Sequence, residues 1–188
     1  MSGTTSTLTK QNSKRLLKSD TFSVLREGEC WLGLDPGSRK AGYAVLEMGK
    51  AGRPLYRECG LLITRETDLS RRLLEIGQGL QEIIAEYHPV AAAVEDVFSA
   101  ENARTALILG QARGMVLFVL ASAGIPVISY SPNHVKKSIT GQGRASKTQV
   151  RANVMYLLQL HTTPAEDAAD ALALAYCHAL HARMRSVF

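Results

Sequence analysis

The sequence predicts an α/β fold: a mixed five-stranded sheet, three antiparallel strands followed by parallel ones, flanked by helices on both faces. Three observations carry this reading. Short apolar runs bounded by turn residues open the ordered part of the chain; two of these runs are joined by DPGSRK, a link too short for a crossover and so suited to antiparallel pairing; and from about residue 69 helical periods alternate with further short apolar runs. Strand-helix-strand alternation after an antiparallel run places helices on the faces of one sheet.

The elements follow in order. WLGLD, from Trp31, reads as a short buried strand, AGYAVLEM as the second and PLYRECGLLIT as the third. Leu69, Leu73, Ile76, Leu80 and Ile83 recur at helical spacing up to His88-Pro89, where the proline is expected to stop the helix. PVAAAVED is a short apolar run read as a fourth, buried strand. Residues 101–123 form a long helix with apolar side chains around much of its circumference, ended by Gly124. GIPVISY is the fifth strand, SPNHVKKSIT a short helix and GQGRAS a flexible basic loop. Two helices close the chain, at 147–160 and 165–182.

The 188 residues, 46% hydrophobic and 21% charged, suit one globular domain with a substantial core. Residues 1–29 are rich in Ser, Thr, Lys and Arg without a sustained apolar period, and read as a disordered basic arm. The domain is expected to span 30–183, with 184–188 as a tail. The arm lacks the apolar centre of a secretory signal; its basic character leaves an organelle transit segment as an alternative. MVLFVLASAGIPVI is interrupted by Ser, Gly and Pro and falls short of the ~20 residues of a membrane helix, so no membrane association is expected. The three cysteines, Cys30, Cys59 and Cys177, lie far apart in no paired spacing, which argues against a disulfide framework or a zinc site and favours a reducing, cytoplasmic compartment. Formal charge is +5. No Asp or Glu lies between Glu101 and Glu166, while Arg104, Arg113, Lys136, Lys137, Arg144, Lys147 and Arg151 all do, so one part of the domain offers no acid against a bound polyanion.

Four acids resist a purely structural reading. Asp35 precedes Pro36-Gly37, where Asp is favoured as the first residue of a turn, but it also ends a buried strand. Glu95 ends PVAAAV in the same way, at the kind of strand end where open α/β sheets bind ligands. Because neighbouring side chains alternate faces, only one of Glu95 and Asp96 can point with Asp35, and Glu95 is nearer the sheet. Asp167 and Asp170 are three apart on a helix and share a face; Asp170 is set among alanines that look buried, where a carboxylate needs a cation or a partner. Glu166 is accounted for by the dipole at the helix start. Carboxylates from three separate segments suit a hard, oxygen-seeking ion such as Mg2+ or Mn2+, and two such ions serve phosphodiester cleavage. The spacing alone implies a metal-dependent nuclease or phosphotransferase. His178 lies on the Asp167 face but about 16 Å further along the helix axis, and is read as structural.

LGLDPGSRKAGYAV, VEDVFSAENARTALILGQARG and EDAADALALAYCHA, in this order and at these separations, resemble the RuvC-type Holliday junction resolvases, endonucleases of the RNase H-like fold. The likeness covers about residues 31–181. It implies that Asp35, Glu95, Asp167 and Asp170 are the catalytic, metal-binding carboxylates, holding two ions per site. Some members carry His at the place of Asp167, and the Asp here makes the site more anionic. The likeness also implies that Phe98 meets bases at the junction centre, against core packing as the plainer reading of one Phe. Lys136 and Lys147 match lysines that contact or neutralise phosphate near the site; Arg144, in the loop beside them, is added from its charge and position alone.

The resulting expectation is a homodimeric endonuclease that nicks two strands of like polarity symmetrically at a four-way DNA junction, working with a branch-migration motor of the RuvA and RuvB type. Residues 106–120 are apolar on more faces than one sheet contact needs, which fits a dimer helix and equally a helix buried inside the monomer. Two alternatives stay open: another RNase H-like nuclease acting on RNA or other branched DNA, and a junction-binding protein without catalysis. An actin-like ATPase is disfavoured by chain length and the lack of a second phosphate loop.

Overall fold

The computed structural model of the protein describes residues 25–96 and 102–185. Five strands, β1 (Cys30–Asp35), β2 (Lys40–Met48), β3 (Pro54–Ile63), β4 (Ala91–Glu95) and β5 (Val127–Tyr130), form one sheet in the order β3-β2-β1-β4-β5. β1 pairs antiparallel with β2, and β2 with β3; β1 with β4 and β4 with β5 are parallel. Five helices accompany them: α1 (Leu69–Tyr87), α2 (Ala103–Ser122), α3 (Pro132–Thr140), α4 (Lys147–Leu157) and α5 (Glu166–Arg185).

Helix ends follow local chemistry. Asp68, Asn102, Ser131 and Ser146 each accept a backbone N–H in the first turn of α1 to α4, and Ser146 with Gln149 completes a reciprocal capping box. α3 ends at Gly141 with φ 77°, a left-handed position suited to glycine. The end of α1 differs from the expectation that Pro89 alone stops it. His88 already turns left-handed, φ 44°, and its N–H returns to the Ile84 carbonyl, so the helix is closed one residue earlier.

The sheet separates two apolar layers. α1 and α2 pack on one face, over Leu32, Leu34, Val45, Ala92 and Val94. α5 lies across the other, over Trp31, Ala44, Leu46, Ala91 and Ala93, with α3 and α4 packed against it. Leu25, which the sequence places in the arm, is buried in this second layer, and the Gly28 N–H bonds the Met48 carbonyl at 2.8 Å. The chain is thus tied down ahead of β1. At its other end α5 runs to Arg185, past the expected boundary.

The sequence reading finds no membrane-spanning segment, whereas α2 does reach the length and mean hydropathy, 1.5, of one. Its role in the fold is fixed otherwise. Ala112, Val116, Val119 and Leu120 are buried against the sheet layer, and Arg113 reaches the β4-β5 edge, donating to the Glu95 carbonyl at 3.2 Å and the Ser129 hydroxyl at 2.7 Å.

Candidate active site

Parallel pairing aligns Leu34 with Val94, so the next residues, Asp35 and Glu95, leave the sheet side by side on one face. That face belongs to α5. Asp96, the next residue, also lines the cleft but is paired with Arg113 at 3.5 Å.

What brings α5 close enough is the absence of two side chains. A Cβ on Gly33 would lie 2.0 Å from the Ala171 carbonyl oxygen, and one on Gly42 would lie 2.0 Å from that of Asp167. Gly42 is the register partner of Asp35, so the first turn of α5 rests directly beside it. Trp31, fully buried, donates its indole N–H to the Ala175 carbonyl at 2.8 Å and fixes α5 two turns further along. Asp167 and Asp170 thereby face Asp35 and Glu95 across a cleft of about 480 Å³.

The electrostatics are those of crowded acids. Burial, then the charges of Glu95, Asp170 and Asp167, raise the Asp35 carboxyl to about 8, with Lys147 opposing. At neutral pH Asp35 holds a proton, and a hydrogen bond joins it to the Glu95 carboxylate. Glu95 and Asp170 are also raised, chiefly by burial. Lysines supply the compensation among the described residues. Lys147 Nζ lies 2.8 Å from Glu166 and 3.3 Å from Asp170, and Lys40 Nζ lies 2.7 Å from Asp167. Both ammonium groups are held above their usual range, Lys147 first by Glu166 and Lys40 by Asp167. Four converging acids, three of them raised, with oxygen donors throughout, form a cradle for hard divalent cations.

Lys136 lines the same cleft, and its charge is felt at Glu95. Arg144 is exposed on the loop between α3 and α4 and is not among the residues that line the cleft. Phe98 lies outside the described residues. His178 is buried and bonded through Nδ1 to the Tyr130 hydroxyl at 3.0 Å, a structural place. Sequence reasoning missed Lys40; its only signal was a basic residue at the start of the strand paired to β1. It also took Glu166 for a dipole residue, whereas its carboxylate holds Lys147.

A mixed sheet of this order, with acids at adjacent parallel strand ends and on the helix that crosses them, defines a protein of the RNase H-like class. The family described as Crossover junction endodeoxyribonuclease RuvC matches residues 31–178. The chain is 51% identical over 150 residues to the crossover junction endodeoxyribonuclease RuvC of Halorhodospira halophila, covering 80% of this chain and 89% of that one. To the protein of the same name from Citrifermentans bemidjiense it is 45% identical over 158 residues, covering 84% and 96%. Among solved structures, T. thermophilus RuvC in complex with a Holliday junction substrate superposes with a TM-score of 0.78 at 32% identity, over 84% of this chain and 97% of that one. The yeast mitochondrial Holliday junction resolvase shares the fold, with a TM-score of 0.66 at 12% identity, over 87% and 83%. This chain belongs to the RuvC family of crossover junction endodeoxyribonucleases.

Proposed function

We infer that this chain resolves Holliday junctions in recombination and repair, as a homodimer nicking two DNA strands of like polarity symmetrically and leaving ends that can be ligated. The observation that carries the mechanism is the convergence of Asp35, Glu95, Asp167 and Asp170 in one cleft, where Asp35 is raised to about 8. Those four carboxylates fit two divalent ions, Mg2+ or Mn2+. When bound, such ions polarise the scissile phosphate and lower the pKa of the attacking water.

The remaining work belongs to the chain's own groups. Asp35 gives up its proton as the site fills, since four anionic carboxylates are then neutralised. Lys40 and Lys147, now paired to Asp167 and to Glu166 and Asp170, stand at the rim of the cleft with Lys136, where phosphate oxygens of a strand approach. They meet polyanion charge as point cations. Water loses a proton to solvent as its oxygen bonds to phosphorus, the P–O bond to the leaving strand breaks with its oxygen taking up a proton from solvent, and no protein nucleophile is needed. Phe98 is retained as a residue for the junction centre, and Arg144 as a more distant phosphate contact.

The dimer reading is supported by α2. Leu107 and Phe118, three turns apart on one stripe, are 64% and 72% exposed, and Gly110 and Gly114 nearby leave open space for a close helix approach. Two copies present two cleavage sites to two opposed strands. Cooperation with a branch-migration motor of the RuvA and RuvB type and a cytoplasmic location complete the proposal.

The test is cleavage of a synthetic mobile four-way junction across several divalent metals. Paired nicks that a ligase can seal are expected, and Asp35→Asn should abolish cleavage while sparing junction binding. Cutting of an RNA strand in place of the junction, or undiminished cleavage by Asp35→Asn, would refute the reading.

A further inference from the structure

Beyond the acid cleft, α5 carries a second convergence of donors, of different chemistry. Cys177 and His181, four residues apart, share one face of α5, and His134 faces them from α3; one ligand atom from each lies within 4.8 Å of the others. The thiol is buried and free of any disulfide, and it touches Ser138, one turn beyond His134 on α3. The His134 and His181 rings stand 4.6 Å apart, centroid to centroid. Tyr130 packs on both, at 5.7 and 5.4 Å.

Aromatic packing explains the ring contacts but leaves one atom unexplained. Nδ1 of His181 is buried with no hydrogen-bond partner among the described residues, an uncompensated desolvation that a cation would remove. His178 is not an alternative ligand through Nδ1, because that nitrogen is engaged with the Tyr130 hydroxyl at 3.0 Å. The open side of the cluster is His134, which is exposed.

We propose that His134, Cys177 and His181 form a second metal site, for a thiolate- and imidazole-seeking ion of the zinc class, that ties α3 to α5. Two imidazoles and a thiolate select such an ion over magnesium or manganese, which prefer oxygen. Tetrahedral zinc with nitrogen at about 2.0 Å and sulfur at about 2.3 Å needs donors roughly 3.3–3.6 Å apart. The three atoms, within 4.8 Å of one another, therefore draw together by at most about 1.5 Å, through rotamer shifts of the side chains led by exposed His134, and a water takes the fourth position on its side. The consequence reaches the cleft, because α3 also carries Lys136, two residues after His134. Fixing α3 on α5 fixes that ammonium relative to Asp170 on the same helix.

Cobalt(II) reports the site directly. The full-length protein is stripped with a chelator, supplied with excess Mg2+ to satisfy the carboxylates, and titrated with Co2+. One equivalent should produce a thiolate-to-cobalt charge-transfer band in the near ultraviolet, lost on adding Zn2+. Cys177→Ser should abolish the band, and His134→Gln should weaken zinc binding at least about tenfold. Where Cys177→Ser misfolds, the exposed His134→Gln variant, checked by circular dichroism, decides. No thiolate band in the wild type means a packing cluster only and overturns the proposal. So does zinc affinity that is unchanged in His134→Gln, or that Asp35→Asn removes instead.

Discussion

Helices α2 and α5 are both 20 residues long and apolar through their middles, yet they end in opposite surroundings. α5 is enclosed from Ala168 to Ala182 by the sheet on one side and by α3 and α4 on the other. α2 buries Ala112, Val116, Val119 and Leu120 and leaves Leu107 and Phe118 exposed. Side-chain size accounts for the difference. α5 alternates alanine with occasional leucine and meets glycines on β1 and β2, so its backbone descends almost onto the strands. α2 carries larger side chains, some of which its own sheet leaves uncovered. Apolar composition says that a helix seeks cover; residue size says whether its own sheet can provide it.

That contrast can be broken at the glycines with the largest effect. Gly42→Ala sets a methyl against the Asp167 carbonyl, which has no flexible side chain to yield, and should cost about 3 kcal/mol or more of unfolding free energy. Urea titration checks it, and an unchanged midpoint would show that the close approach is dispensable. Next in size is the chemistry that α5 delivers. Asp170→Asn should lower junction cleavage at least about 10²-fold, the scale for one preorganised electrostatic group, with the fold intact by circular dichroism.

On α2, Phe118→Asp should weaken self-association by roughly 30-fold, as for loss of one aromatic anchor, while shifting monomer stability by about 0.5 kcal/mol or less. Sedimentation at graded concentrations reads this, and a monomeric wild type would remove α2 as a dimer helix. A smaller effect is expected from pH. The folded value for Asp35, about 8, exceeds the ordinary 3.8, so the folded chain keeps a proton that the unfolded chain has lost. Stability in a chelator therefore falls as pH rises within that interval. His178, depressed by burial from 6.5 to about 4, contributes the opposite slope below 6.5, so the fall is cleanest between about 6.5 and 8. Thermal unfolding of Asp35→Asn should lack it. The smallest effect belongs to Lys40→Ala. Its ion pair is more than half exposed on the lysine side and should contribute little to stability, but the salt dependence of junction binding should become shallower by about 0.9 if Lys40 meets phosphate.

Much of this architecture was legible beforehand, for identifiable reasons. Asp35 and Glu95 stand at the ends of short apolar runs; the alternation of strand faces allows only one of Glu95 and Asp96 to point with Asp35, and nearness to the sheet selects Glu95. Asp167 and Asp170 share a helix face by spacing alone. Less legible were the features that depend on distance in space. Nothing local says that Lys40 reaches Asp167, or that Glu166 is held by a lysine from α4. The apolar circumference of residues 106–120 fits a buried helix as well as a dimer helix, and only the fold shows that α2 buries one side and leaves Leu107 and Phe118 exposed. Cys177 and His181 do form a readable four-residue pair, but His134 joins them only through the packing of α3 on α5.

The indole bond between β1 and α5 has a practical consequence. Trp31 is the only tryptophan in the chain, and its N–H ends on the backbone of the helix that carries two of the four acids. Its emission colour is therefore an intrinsic optical gauge of whether that helix is seated, so the assembly of the nuclease centre can be followed in a stopped-flow fluorimeter without any added label.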